Sequence, residues 1–281
     1  MGAEAVLTTL PPSPANSGAA AAAKPFAVAD IAAPVGLHFL ATPGVRTLLT
    51  PGVLAVQGAL ADAYAQRRFL CVLGDAGVGK TFAVRTVACR IGAAVLLDLR
   101  AQPAPADLRA GLHGALQLTG APPADPGAAD TLIRSALAAA PRIVVVNDAD
   151  RISASCFEYL RFLHDDTPDG LCMVLIAGQR GERALRSQRM LTTRTAGWLE
   201  VSPLTRDQIP QAVPALHPLW QTVSPGHLQA LDARFAGGSL RRWVLLTHHA
   251  QRALAATGDG ELDLRLLQTV VNRIDTPGRR P

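Results

Sequence analysis

Apolar and polar positions fall into two periods along this chain. A helical period over 54–65 leads into Phe69-Leu70-Cys71-Val72-Leu73, an unbroken apolar run closed by Gly74, which is the pattern of a strand buried on both faces. Similar runs at 94–99, 143–146, 171–177 and 198–201 predict four more strands, with helical stretches between most of them. Strands alternating with helices predict an α/β fold, a parallel sheet sandwiched by helices. After Pro203 the strand-like runs stop. Helical patterns at 206–215 (broken by Pro210 and Pro214), 227–235, 240–255 and 262–274 predict a small helical lid domain. The Pro- and Ala-rich stretch 120–127 predicts a loop between two helices. No internal repeat is visible. Pro11, Pro12, Pro14 and the alanine run 19–23 predict a flexible arm over 1–25, with order beginning near Phe26. The expected organisation is therefore an arm (1–25), an α/β core (26–203), a helical lid (204–274) and a basic tail (275–281).

Composition narrows this picture. The 281 residues are 49% hydrophobic and 17% charged, a balance that suits a packed globular protein and argues against a largely disordered chain. No apolar run reaches the ~18 residues that span a bilayer, and the first 23 residues lack the basic and apolar regions of a signal peptide. The expectation is a cytoplasmic protein without a membrane partner. Cys71, Cys89, Cys156 and Cys172 lie in apolar segments without C-x-x-C spacing, so buried free thiols are expected rather than a zinc site or disulfides. The formal charge is +5, and of 27 basic residues only Lys24 and Lys80 are lysine.

Lys80 belongs to Gly74-Asp75-Ala76-Gly77-Val78-Gly79-Lys80-Thr81, which fits G-x-x-x-x-G-K-[ST] between a strand and a helix. Glycines let successive backbone N–H groups turn toward phosphates, and the following helix adds the positive end of its dipole. Lys80 would reach the β- and γ-phosphates of ATP as a compact point charge, and the Thr81 hydroxyl would ligate Mg²⁺. A narrow loop needs an ammonium rather than a broad guanidinium, which accounts for a lysine amid so many arginines.

The run Arg142-Ile143-Val144-Val145-Val146-Asn147-Asp148-Ala149-Asp150-Arg151 is a buried strand ending in polar residues, where a P-loop ATPase places an Asp that orders Mg²⁺ and a Glu that polarises the attacking water. Those places read Asn147 and Asp148. Either Asp148 takes the metal role with no ordinary base behind it, or it stands in for the Glu with shorter reach. Both readings predict nucleotide binding with slow hydrolysis.

Taken together, the loop, the Asn-Asp-Ala-Asp-Arg strand end, Leu175-Ile176-Ala177-Gly178-Gln179 and Gly238-Ser239-Leu240-Arg241-Arg242 resemble the AAA+ ATPases of mobile elements, the TniB/MuB-type transposition proteins, and the related ExeA-like group. The resemblance runs from about Thr42 to Ala255. It implies a P-loop AAA+ core with a helical lid, Gln179 in the sensor 1 place reading the γ-phosphate, and Arg241 as the sensor 2 arginine with Arg242 as fallback. It places Arg194 where an arginine finger reaches a neighbouring subunit's nucleotide.

Arg180, Arg183, Arg186 and Arg189 recur every third residue, opposed only by Glu182. On a helix they would line one slowly turning face. Such a row repels itself unless it meets polyanion, and duplex DNA is the expected partner, bound through phosphates in a sequence-tolerant, salt-sensitive way. Arg279 and Arg280 would add a mobile contact. With the resemblance, the expected function is an ATP-dependent DNA-binding regulator of transposition. It would form a homo-oligomer with ATP on target DNA, recruit or activate a transposase or integrase, and hydrolyse slowly. The alternatives are a nucleotide-bound scaffold acting through protein partners with little hydrolysis, and a helicase loader or ExeA-like ATPase.

Overall fold

The computed structural model describes residues 40–91, 94–140, 142–167, 170–257 and 262–275. The expected arm (1–25), the start of order near Phe26 and the Arg279–Arg280 contact lie outside the described residues. Two compact units are present. Among described residues the first comprises 52–75 and 80–201, and the second 40–51, 76–79 and 202–275.

The first unit is an α/β layer structure. Its elements run α1 (Pro51–Gln66), β1 (Phe69–Leu73), α2 (Lys80–Ile91), β2 (Ala94–Leu97), α3 (Pro105–Ala115), α4 (Pro126–Ala138), β3 (Ile143–Val146), α5 (Ala154–Asp166), β4 (Cys172–Ile176), α6 (Glu182–Arg186), α7 (Arg189–Thr192) and β5 (Thr195–Glu200). The five strands form one sheet in the order β2-β3-β4-β1-β5, and every pairing is parallel. Every residue of β1, β3 and β4 is buried, as expected of central strands covered on both faces. β2 and β5 form the edges, and β5 mixes half-buried and exposed positions. The strand expected at 94–99 ends at Leu97, and the last begins three residues before 198, at Thr195.

Helices α4 and α5 start where side chains cap them. The Asp125 carboxylate accepts from Ala128 N at 2.7 Å, and the Ser153 hydroxyl accepts from Cys156 N at 3.3 Å, contacts worth ~1 kcal/mol each. Arg109 of α3, Asp130 of α4 and Tyr159 of α5 join these helices. Arg109 Nε and the Tyr159 hydroxyl both donate to Asp130 Oδ1 at 2.8 Å, and the guanidinium lies 4.6 Å from the Tyr159 ring centroid. Burial, reinforced by the Asp130 carboxylate, pushes the Tyr159 phenol above its usual range.

The second unit is helical: α8 (Ile209–Leu216), α9 (Pro225–Leu231), a π-turn at Asp232–Ala236, α10 (Leu240–Thr257) and α11 (Leu264–Asp275). Its apolar core gathers around Trp220 and Trp243, both fully buried, with rings edge to face and centroids 5.3 Å apart. Pro214 does not break α8, which runs from Ile209 to Leu216. The expectation of four buried thiols is also corrected. Cys71, Cys156 and Cys172 are buried, whereas Cys89 lies on the exposed side of α2. Among the described residues, no helix is long and apolar enough to cross a membrane.

Candidate nucleotide-binding site

Parallel strands deliver their C-terminal ends to one side of the sheet, and in the first unit Gly74, Asn147, Asp148 and Gln179 follow those ends. β1 ends at Leu73, and Gly74 comes next at φ +144°, a conformation open to glycine. A Cβ at Gly74 would stand 2.3 Å from the Val201 carbonyl oxygen, so this position admits no side chain. α2 then begins at Lys80. The Lys80 ammonium is buried and donates to Gly74 O and Asp75 O, each at 2.8 Å. These bonds satisfy the side-chain nitrogen on the loop's own carbonyls, as a buried polar group requires.

One residue on, the Thr81 hydroxyl donates to Asn147 Oδ1 at 2.9 Å. Asn147, the first residue after β3, is the one brought to Thr81. Asp148 is next, in the left-handed conformation (φ +50°, ψ +43°), and is exposed. The turn forces this division, because the backbone reverses its hand between the two positions. Thr81 Oγ1 and Asn147 Oδ1 are hard oxygen donors of the kind Mg²⁺ takes, and together they bring no negative charge. That set suits an ion keeping most of its waters and drawing its charge partner from phosphate. Among the described residues, no group of three or more His, Cys, Asp or Glu is placed to hold a metal.

Gln179 lies just past β4, and its amide nitrogen donates to Glu200 Oε1 at the end of β5, 2.9 Å away. Since β4 and β5 flank β1, this bond spans the C-terminal end of the strand that feeds the loop. Nothing in the chain's spacing announced Glu200 as a partner. Arg194 is placed just before β5, at the opposite, N-terminal end of the strands. Its Nε and Nη2 donate to Asp165 Oδ1 and Oδ2, both at 2.7 Å. Its fork is thus engaged within its own chain.

The arginine row is not a helical face. Arg180 sits in a 3₁₀ turn, Arg183 and Arg186 in the five-residue α6, and Arg189 opens α7 after a break at Ser187-Gln188. Residues three apart share a face only while one helix continues, and here three short pieces intervene. All four side chains are exposed. Arg186 bonds to Glu182 Oε1 at 2.7 Å and covers the Trp198 ring at 4.3 Å.

The loop tip, Ala76–Gly79, belongs to the second unit. There the Gly77 carbonyl accepts from Arg241 N at 3.1 Å and from Ser239 Oγ at 3.3 Å. Gly77 (φ +85°) has no room for a side chain, because a Cβ would come within 2.6 Å of Ser239 Oγ. Arg241 is exposed at the start of α10, while Arg242 Nη1 donates to Phe235 O at 2.6 Å.

A parallel sheet in this strand order, with a glycine-rich loop between β1 and a helix that opens on Lys-Thr, decides the architecture. The fold is that of the AAA+ P-loop ATPases. Residues 63–185 match the AAA domain family, a span that includes the P-loop and the β3 end but not Arg189, Arg194 or Arg241. The AAA+ fold is shared with solved structures. The Aeropyrum pernix ORC2 protein, in ADPNP–ADP complexes, has a TM-score of 0.67 at 16% identity, over 86% of this chain and 71% of that one. The Aeropyrum pernix ORC1 protein in complex with DNA has a TM-score of 0.58 at 16% identity, over 80% and 64%. The Thermotoga maritima RuvB Holliday junction branch migration motor has a TM-score of 0.52 at 12% identity, over 78% and 66%. The chain thus spans slightly less than two thirds of the ORC1 and RuvB chains. No curated protein matches it.

Proposed function

We propose that this protein binds Mg²⁺-ATP at Gly74–Thr81 and acts on duplex DNA as an ATP-controlled regulator of transposition, assembling with further copies of itself and recruiting or activating a transposase. The observation that carries the ATP reading is Lys80, a buried ammonium held on Gly74 O and Asp75 O at 2.8 Å beside Thr81. When nucleotide enters, Lys80 exchanges these carbonyls for phosphate oxygens, and the loop N–H groups close around the phosphates. Thr81 and, through water, Asn147 would hold Mg²⁺, which would neutralise phosphate charge. Asp148 would orient the attacking water from an exposed, shortened side chain. Gln179 would exchange Glu200 for the terminal phosphate, and Arg241 would report occupancy from the lid.

Duplex DNA is supported by the exposed Arg180, Arg183 and Arg189, and by the shared fold with a protein solved in complex with DNA. The transposition reading rests on the resemblance between Thr42 and Ala255.

A second reading, a nucleotide-bound scaffold that scarcely hydrolyses, is favoured by Asn147 standing at Thr81. One experiment separates them: ATP turnover with and without duplex DNA at two salt concentrations, in wild type and in Asn147→Asp with Asp148→Glu. A tuned ATPase turns over slowly, is stimulated by DNA at low salt, and gains about a hundredfold or more in the double variant, the range of one well-placed catalytic group. No gain favours the scaffold. Absence of ATP binding, or of any affinity for duplex DNA at low salt, overturns the proposal.

A further inference from the structure

Asp232 carries the only buried carboxylate among the described residues. A buried carboxylate is costly unless it is hydrogen-bonded, and the partners of this one are specific. Oδ1 accepts from Gly238 N at 2.8 Å and from the Trp243 indole Nε1 at 2.9 Å, while the Asp232 backbone oxygen accepts from Gly237 N at 2.8 Å. Gly237 and Gly238 are both left-handed (φ +56° and +72°). Two such residues in succession form a turn that glycine leaves floppy, and the carboxylate pins it.

The turn leads directly into α10. Ser239 caps that helix through its carbonyl to Trp243 N, and Ser239 Oγ and Arg241 N both donate to Gly77 O at the loop tip. Gly238 O accepts from Leu204 N at 3.0 Å, and no side chain fits at Gly238, where a Cβ would lie 2.3 Å from Leu204 O. Trp243 leads inward, edge to face with Trp220. The Trp220 indole donates to Thr247 Oγ1 at 2.9 Å, and that hydroxyl donates to Trp243 O at 2.8 Å. All of these residues belong to the second unit.

We propose that Asp232 is a positioning residue for nucleotide binding. It fixes the start of α10 so that Ser239 and Arg241 meet Gly77, and it carries any displacement of the loop tip to the Trp243 indole. The proposal rests on ATP binding at Gly74–Thr81. The charge matters because a carboxylate makes stronger hydrogen bonds than a neutral amide oxygen, so one oxygen can hold both the turn and the indole.

The test uses the full chain and reads two quantities: affinity for fluorescent ATP, and the indole N–H signals of the three tryptophans by ¹H–¹⁵N NMR, assigned with Trp198→Phe and Trp220→Phe. Saturating Mg²⁺-ATP should shift the Trp243 signal in wild type. Asp232→Ala should weaken ATP about tenfold, the equivalent of one lost hydrogen-bonded anchor, and abolish the Trp243 response. Asp232→Asn keeps the oxygen without its charge. It should move the nucleotide-free Trp243 proton upfield and weaken ATP about two- to threefold, roughly half the effect in free energy. Should the alanine variant not fold, the asparagine variant decides alone: a displaced indole signal with unchanged ATP affinity overturns the proposal. So does a Trp243 signal that stays fixed in ATP-saturated wild type. Failure of wild type to bind fluorescent ATP at all is a distinct result that removes the nucleotide reading itself, and this proposal with it.

Discussion

Arg194 and Asp165 face each other with matched geometry, a planar fork on a carboxylate, and the consequence is visible in the acid. The Arg194 guanidinium, its largest influence, holds the Asp165 carboxyl down at about 2, with His164 and Arg161 helping against partial burial. An acid whose folded pKa is depressed stabilises the fold above its unfolded value, about 3.9. That stability is lost as pH falls toward the folded value. The side chains are 27% and 34% exposed, so the contribution at neutral pH is no more than about 1 kcal/mol after screening. Replacing Arg194 by Ala should return the Asp165 pKa toward the ordinary carboxylate range, read by NMR titration of its carboxyl carbon, and should lower stability by that small amount at pH 7 but not near pH 2. An unmoved titration would mean that the fork is not held in solution. The same fork bears on the expected arginine finger, because Arg194 would have to leave Asp165 before it could reach any neighbour's nucleotide.

At the level of elements, the segment 40–50 is joined to the helices of the second unit through His217. Its Nε2 lies 3.0 Å from Pro43 O and its Nδ1 3.0 Å from Leu219 N. The Leu219 N–H must donate to Nδ1, so the proton sits on Nε2 and donates to Pro43, and the ring is fully bonded while neutral. Burial lowers its pKa, opposed by the bond to Pro43 and aided by Arg46. Below about pH 6.5 the unfolded chain takes up this proton before the folded one does, so stability drains away as pH falls from there toward the folded value. His217→Asn should therefore flatten the loss of melting temperature between pH 7.5 and 5.5; an unchanged slope would assign that loss to other groups, among them His249, whose pKa is also lowered. The sheet was legible in the chain because central strands are unbroken apolar runs, and the P-loop because its spacing is fixed by phosphate chemistry. The break at Ser187-Gln188 was not, since neither residue forbids helix. Arg194 with Asp165, Asp232 with Trp243 and Gln179 with Glu200 were hidden for another reason: each pair is made by tertiary folding across 29, 11 and 21 positions, with no local period to mark it. A lone acid in the apolar stretch before Gly237-Gly238 was the one available signal for Asp232.

For the molecule as a whole, charge is the property that reaches beyond single contacts. A net +5 spread over an arginine-rich surface gives any protein of this composition some attraction to polyanions, so affinity for DNA by itself would say little about the arginine row. Its salt dependence says more, because each phosphate neutralised releases condensed counterions and contributes about −0.9 to the slope of log K against log salt. Arg186 is already paired with Glu182. Among the described residues Arg180, Arg183 and Arg189 have no acidic partner and are exposed. If all three meet phosphates, replacing them together by Ala should make the slope shallower by about 2.7, three times the single contribution, and should weaken binding to unrelated duplex sequences alike. Replacing Arg186 alone should change the slope by less than one such step, because its release from Glu182 offsets what phosphate would gain. A triple variant that keeps the wild-type slope would move the DNA contact elsewhere on the molecule. A slope that flattens for one sequence only would mean that these arginines read bases, which three exposed side chains on separate short helices are poorly arranged to do.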